Sequence, residues 1–445
     1  MDGHDLLTEA LEDHVCIVVT QLNVSVHSAL PGEKTYFYHI KAGLLFCTLP
    51  SLNGWIARHL SRVTSSGEFI PEVDGIRFLA ILGVLVFHTS IDLYIARGTL
   101  LPDWAEHHGL LLHLMGKGWY GVEIFFVLSG FIVALPFARH AVEGARAPDL
   151  GRYFLRRLTR IEPPYILSLT AMYLLSGNTR RFLPDFLAAL FYSHRYIFAA
   201  GNPFALVTWS LEVEVSFYIL APWLARVYRI KGSSLRWLVQ IFLIGLSGYL
   251  GQHWLILQNS DRLHDTLAVM IPYFLAGMLL ADLYASGLVR RSAQIGWDLV
   301  VAGSVAGLVA AVGWNLWDSY WLTPLMIMLL VAGIIGGRIA NWFLRLRPVT
   351  LIGGMCYTIY LWHGPLLILT PFTLKAHFAA FSYVSAAVFY CLLVVPGLIV
   401  CCVPIFLLIE RPFMNGPGSR FIANRLRSIS QMFRGPKPVA SDMAA

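Results

Sequence analysis

The sequence predicts an all-α integral membrane protein: a bundle of about ten transmembrane helices with both termini cytoplasmic. Three observations predict it. Charged residues make up only 13% of the 445-residue chain, and the mean hydropathy is +0.64; a soluble domain carries about 25% charge. Ten stretches are apolar over the ~20 residues that a helix needs to cross a membrane. Lys and Arg alternate along the chain, 21 in one set of loops and 7 in the other, and an excess of positive charge marks the cytoplasmic side.

The expected spans are 77–95, 119–138, 161–177, 206–228, 235–257, 266–286, 295–316, 320–341, 348–371 and 383–409. Each is bounded by its loops. Spans two and three flank 139–160, with six basic residues, and spans four and five flank 226–236, with four. Loop 287–297 after span six holds two, loop 338–347 after span eight holds three, and the segment from Arg411 holds six. A missed span would scramble this alternation, so an even number is expected. Two further apolar stretches are too short to cross. Residues 41–57 are interrupted by Pro50, and 183–193 are expected at the interface or re-entering the bundle.

Three regions follow: an N-terminal extension, 1–68, of mixed composition and unknown role; a membrane domain, 69–413; and a short basic cytoplasmic tail, 414–445. The tail is too short for a second domain. Five acidic side chains in the first 15 residues argue against a cleavable signal peptide. The net charge of +7 suits cytoplasmic loops; no basic stretch is interleaved with aromatics, so nucleic-acid binding is not expected. Six cysteines show no C-x-x-C pairing and read as small apolar residues. His107, His108 and His113 near Asp103 and Glu106 match no compact ligand spacing, so no metal site is expected. No internal repeat is visible, and nothing in the sequence bears on oligomeric state.

Four segments carry candidate chemistry. In "DGIRFLAILGVLVFHTS", Arg77 and His88 bracket ten apolar residues. Eleven residues turn a helix about 20° past three full turns and rise about 16 Å, so both share one face, Arg77 at the inner mouth and His88 near mid-depth. Arg77 reads equally as a snorkelling interfacial residue. His88 reads as an interhelical hydrogen-bond partner or as a proton-transfer group, the role imidazole suits near neutral pH. In "TWSLEVEVSFYI", Glu212 and Glu214 lie ~200° apart around a helix. Glu214 falls near the depth of His88, where it would orient the imidazole or form a structural pair. In "GRYFLRRLTRIEPP", Arg152, Arg156 and Arg160 make an i, i+4, i+8 stripe beside Arg157; this suits either positive-inside loops or a phosphate-rich ligand. In "CYTIYLWHGPLLI", His363 precedes Gly364-Pro365, which loosens the backbone, and would line a pocket or pack. Ser129 in "VLSGF" would donate to an oxyanion or serve close helix packing. Trp209, Tyr218 and Tyr360 read from the residues alone as packing or interfacial aromatics.

Together these segments resemble the acyltransferase 3 family of integral-membrane acyltransferases. The resemblance covers about 72–413 and rests on "DGIRFLAILGVLVFHTS", "GVEIFFVLSGFIV", "RRLTRIEPPY", "WSLEVEVSFY", "YTIYLWHGPL" and "IERPF", in the family's order. Three positions depart from it: Glu123 stands where Asp is usual, Ser216 where Gln is common, and Cys356 where Ser is usual. The resemblance implies an acyl-CoA donor, usually acetyl-CoA, on the cytoplasmic side of a bacterial inner membrane. It also implies a carbohydrate or glycolipid acceptor presenting its hydroxyl toward the periplasm. Arg77, Arg152, Arg156, Arg157 and Arg160 are then expected to hold the donor phosphates. His88 is the expected general base with Glu214 behind it, and Glu123, Ser129, Trp209, Tyr218, Tyr360 and His363 are expected around the acceptor. Some relatives carry a soluble esterase-like domain after the membrane part, which a short tail does not provide. The competing class is a proton-coupled transporter using the buried His and Glu as a relay; a scaffold without chemistry would leave His88 and Glu214 unexplained.

Overall fold

The computed structural model describes residues 25–27, 35–37, 70–96, 109–198, 201–256, 265–290, 294–313, 321–379 and 381–414. The chain divides into two compact units, Met1–Ser61 and Arg62–Ala445. In the first unit the described residues are two strands, β1 (Ser25–His27) and β2 (Thr35–Phe37), paired antiparallel with Val26 opposite Tyr36. This departs from the all-α expectation, and its physical basis is a local run of β-branched and aromatic residues. The apolar stretch 41–57, the histidines 107 and 108, and all of the tail beyond Met414 lie outside the described residues.

In the second unit the regular secondary structure among the described residues is helical. The main helices are α1 (Pro71–Ala96), α2 (Gly121–Val142), α3 (Leu150–Leu175), α4 (Trp209–Leu224), α5 (Ser233–Leu250), α6 (Leu267–Ala285), α7 (Ile295–Gly313), α8 (Thr323–Gly336), α9 (Arg347–Gly354), α10 (Cys356–Ile368) and α11 (Tyr383–Ile405). Helices therefore stand at all ten expected segments. Five are long and apolar enough to cross a membrane: Pro71–Ile95, Gly118–Val142, Ser233–His253, Leu267–Ala285 and Tyr383–Phe413. The pair α9 and α10, bent by 70°, makes a sixth if counted as one broken span. Among the described residues the expected ten is thus met by five or six. Helix α3 falls short because its first half carries four arginines and Glu162, α4 has 16 residues, and α7 and α8 are shorter apolar helices.

Local chemistry sets several ends and bends. Pro71 opens α1 where its missing N–H is no loss, and Glu72 and Asp74 sit in the first turn, favoured by the helix dipole. Asp149 caps α3 by accepting from Arg152 N at 3.1 Å. Pro163 and Pro164 remove two donors from the α3 ladder. Just before them the Ile161 carbonyl accepts from Tyr357 OH at 2.9 Å, tying α3 to α10.

Helix α6 is the central one, with 72% of its apolar window buried against 28% for α5. It meets α2 backbone to backbone at Gly130 and Gly277, where a Cβ on Gly277 would lie 2.7 Å from Phe131 N. A buried ion pair links α5 to α6. Arg236 donates to Asp282 through Nε at 2.6 Å and Nη2 at 2.7 Å, and Gln240 Nε2 adds a third bond at 2.7 Å. Between α3 and α4 the short helix Leu183–Leu190 turns back against α3: Ala189 is fully buried and its carbonyl accepts from Tyr165 OH at 2.7 Å. At its tip Tyr192 adopts φ 53°, the one positive φ outside glycine among the described residues. A side chain there costs about 1–3 kcal/mol of backbone strain.

Candidate active site

Helix α1 sets the axis of the site. Near its start Arg77 Nη1 bonds Asp74 Oδ1 at 2.6 Å, and both side chains are nearly buried. Arg77 lies within electrostatic reach of Arg160, Cys356, Tyr218 and Glu214. Arg160 and Arg77 in turn act on Glu410, a fully buried carboxylate that accepts from Thr358 N at 3.0 Å and Thr358 Oγ1 at 2.6 Å. One end of the bundle therefore gathers two guanidinium groups and two carboxylates from α1, α3 and the turn after α11. On the flank, Arg345 pairs with Glu72.

The arginines of α3 divide. Arg152 and Arg156 are exposed, and Arg156 Nε bonds only the Arg152 carbonyl at 3.2 Å. Arg157 and Arg160 turn inward. The expected stripe of 152, 156 and 160 is thus cut: the inward pair is spaced i, i+3. Arg157 lies over Tyr218 at 4.2 Å and Tyr153 at 4.6 Å, and Tyr153 OH donates to the Tyr218 carbonyl at 2.9 Å. Burial pushes the Tyr153 phenol up, against the pull of Arg157.

Glu214 was expected on His88 and is elsewhere. Its Oε1 accepts from Ser129 Oγ and from Tyr218 OH, which joins α2 to α4. A hydroxyl has one proton to give. Ser129 therefore has none left for an oxyanion in this arrangement, and one face of Tyr218 is covered by Arg157 rather than open to a sugar. Glu212, on the other side of α4 as its spacing requires, accepts from Arg195 N at 2.8 Å.

Three turns along α1 from Arg77, His88 Nδ1 lies 3.0 Å from the Val84 carbonyl. A carbonyl only accepts, so Nδ1 carries the proton and Nε2 keeps its lone pair. The imidazole is oriented by its own helix, a partner that no side-chain pattern could reveal. Its ring meets that of His363 at 4.8 Å between centroids, tilted by 57°. His363 is fully buried; its Nδ1 faces the carbonyls of Tyr360 at 2.8 Å and Ile359 at 3.2 Å, and its Nε2 has no hydrogen-bond partner. Two imidazole rings thus stand against each other. Tyr360 is buried, donates to the Val207 carbonyl at 3.0 Å and meets Ser210 Oγ at 2.6 Å. Trp209 is half-buried against Phe126, and Glu123 is buried at the start of α2.

Sequence reasoning passed over Asp74 and Glu410, although both lie inside the segments "DGIR" and "IERPF" that carry the resemblance. It also passed over Asp92, one turn beyond His88, which accepts from Lys375 Nζ at 2.7 Å and Tyr390 OH at 2.8 Å.

A family profile described as an acyltransferase domain (acyltransferase 3) matches residues 70–406. A protein of Staphylococcus aureus strain COL, described by inference as an O-acetyltransferase, is 26% identical over 334 residues, covering 66% of this chain and 50% of its own. The O-acetyltransferase OatA of S. aureus strain NCTC 8325 is 22% identical over 334 residues, covering 68% of this chain and 51% of its own. The chain spans about half the length of the curated relatives it matches. No solved structure matches it at a significant level. A multi-pass integral membrane chain whose apolar helices, arginine mouth and histidine pair fall within that match belongs to the acyltransferase 3 family.

Proposed function

We propose that this chain is an O-acyltransferase of a bacterial inner membrane, built of ten spans with both termini cytoplasmic. It moves an acetyl group from cytoplasmic acetyl-CoA to a hydroxyl of a carbohydrate or glycolipid acceptor facing the periplasm. The acetyl group is favoured by the names of the relatives, which are O-acetyltransferases. The transporter reading gains no support from the family.

The observation that carries the reading is the state of His88: Nδ1–H held by the Val84 carbonyl, Nε2 basic and beside His363. In the proposed step, His88 Nε2 takes the proton of the acceptor hydroxyl as its oxygen attacks the thioester carbonyl carbon. The new C–O bond forms, the C–S bond breaks, and the departing thiolate takes the proton from the imidazolium. Arg77 and Arg160 hold donor phosphates at the mouth, with Arg157 beside them and Arg152 and Arg156 on the exposed face. Glu214 neutralises this basic cluster and holds the hydroxyls of Ser129 and Tyr218. His363, Tyr360, Trp209 and Glu123 surround the acceptor.

The test uses inverted membrane vesicles with radiolabelled acetyl-CoA. Wild type is expected to transfer label to the lipid- and polysaccharide-linked fraction. His88→Ala, expressed and folded equally, is expected to lose at least 10²-fold in rate, the contribution of a general base. Equal labelling by the mutant would remove His88 from the chemistry. No labelling by wild type with its native acceptor present would return the transporter reading.

A further inference from the structure

The end of the bundle away from Arg77 holds a polar network that the proposed step does not use. Asp92 follows His88 by four residues on α1, so it lies on nearly the same face and about 6 Å farther along the axis. Its Oδ1 accepts from Lys375 Nζ at 2.7 Å, and its Oδ2 accepts from Tyr390 OH of α11 at 2.8 Å. Lys375 stands on the short helix Phe372–Ala379, and its Nζ also reaches the Leu367 carbonyl of α10 at 3.4 Å.

The register of these contacts fixes the place of the network. His88 and His363 bring α1 and α10 together ring against ring. Four residues on along each helix come Asp92 and Leu367, and Lys375 joins those two. The ion pair therefore bridges the same two helices as the imidazoles, one turn beyond them on the side opposite the arginine mouth. Packing alone does not call for charge here. Tyr94 already ties α1 to α11 at this end, donating to the Tyr383 carbonyl at 2.9 Å and stacking on the Tyr383 ring.

Ionisable residues inside a span are costly and mark the paths of polar substrates. Asp92 lies inside the span Pro71–Ile95. The side chains of Lys375 and Asp92 are 12% and 18% exposed, sheltered enough for a hydrogen bond to count and open enough to be touched. Among the described residues, these bonds use two of the four lone-pair sites of the carboxylate and two of the three ammonium protons. What remains is an acceptor beside a donor, both charged. A hydroxyl group satisfies the two at once, because it gives one proton and accepts another. The step of about 6 Å from His88 is the breadth of one sugar ring.

We propose that Asp92 and Lys375 bind the acceptor: a second hydroxyl of the sugar, across the ring from the one that reacts at His88, donates to the Asp92 carboxylate and accepts from the Lys375 ammonium. The inference rests on the acyl-transfer reading above and narrows its acceptor to a ring with free hydroxyls on both sides. Tyr390 is a positioning residue that holds the carboxylate. No proton is transferred at this site.

The test is acetyl transfer by purified full-length protein in detergent, with radiolabelled acetyl-CoA and graded amounts of the lipid- and polysaccharide-linked fraction extracted from the native membrane. Asp92→Asn keeps the shape of the side chain, and its amide still pairs with Lys375 and Tyr390. Its apparent KM for the fraction is expected to rise about tenfold, the worth of a hydrogen bond to a charged group. The KM for acetyl-CoA, kcat and the melting temperature are expected to hold. Lys375→Met is expected to raise the same KM. In wild type, the fraction is expected to slow amide exchange across 366–378, a measurement that stands even if the variants do not fold. If Asp92→Asn keeps the wild-type KM for the fraction, or if exchange across 366–378 is unchanged by it, the proposal is overturned while the His88 chemistry survives. If Asp92→Asn raises both KM values together and melts lower, the pair serves only the fold and the proposal is again overturned. If wild type transfers nothing to the fraction, the acyl-transfer reading falls and this inference with it.

Discussion

Gly75 lies between Asp74 and Arg77, and its substitution tests whether packing on α1 governs the arginine mouth. A Cβ built on Gly75 would stand 2.5 Å from the Leu344 carbonyl oxygen and 2.6 Å from Leu344 Cβ, where ordinary contact begins at 3.4 Å. The short helix Ile339–Leu344 must then retreat by nearly 1 Å, and the opposing atoms are backbone and Cβ, which have no rotamer to change. Overpacking of this kind is unfavourable by about 1–3 kcal/mol. The same shift strains the Arg345–Glu72 pair that begins one residue beyond Leu344. A displacement of ~1 Å at the arginine mouth is enough to lower kcat/KM by about 10². The assay is thermal unfolding in detergent together with acyl transfer at varied acetyl-CoA. Gly303→Ala is the control. Its Cβ meets nothing within 4 Å, so it gains helix propensity, up to about 1 kcal/mol, with transfer unchanged. If Gly75→Ala melts with Gly303→Ala and keeps wild-type transfer, the close approach does not hold the mouth and the reasoning fails.

Two further outcomes follow from the buried polar groups. Asp282→Ala strands Arg236 and Gln240 in the bundle and is expected to lower stability by about 3–5 kcal/mol, read as a fall in the denaturation midpoint; an unchanged midpoint would mean that water replaces the carboxylate. Ser129→Ala separates two roles. A lost oxyanion donor would lower kcat by 10²–10³, whereas a hydroxyl committed to Glu214 predicts a loss below about tenfold and a stability change near 1 kcal/mol.

The sequence by itself determined the helical character of the membrane unit, because apolar runs of sufficient length in lipid admit only a helix that satisfies its own backbone. It also determined that Arg77 and His88 share a face, since that depends on helical rotation alone. The division of Glu212 from Glu214 was legible for the same reason, and each carboxylate has found a different partner. Contacts between elements were not legible. Periodicity orders residues around one axis but carries no information on the distance between two axes. Only the tertiary structure brought His363 of α10 onto His88 of α1, and turned Arg157 rather than Arg152 or Arg156 into the bundle. It also decided that Glu214 holds Ser129 and Tyr218 while the Val84 carbonyl orients the imidazole. A backbone carbonyl is present at every residue, so no residue pattern can single out the one that fixes a tautomer; that choice belongs to the rotamer, and the rotamer to the neighbours that the fold supplies.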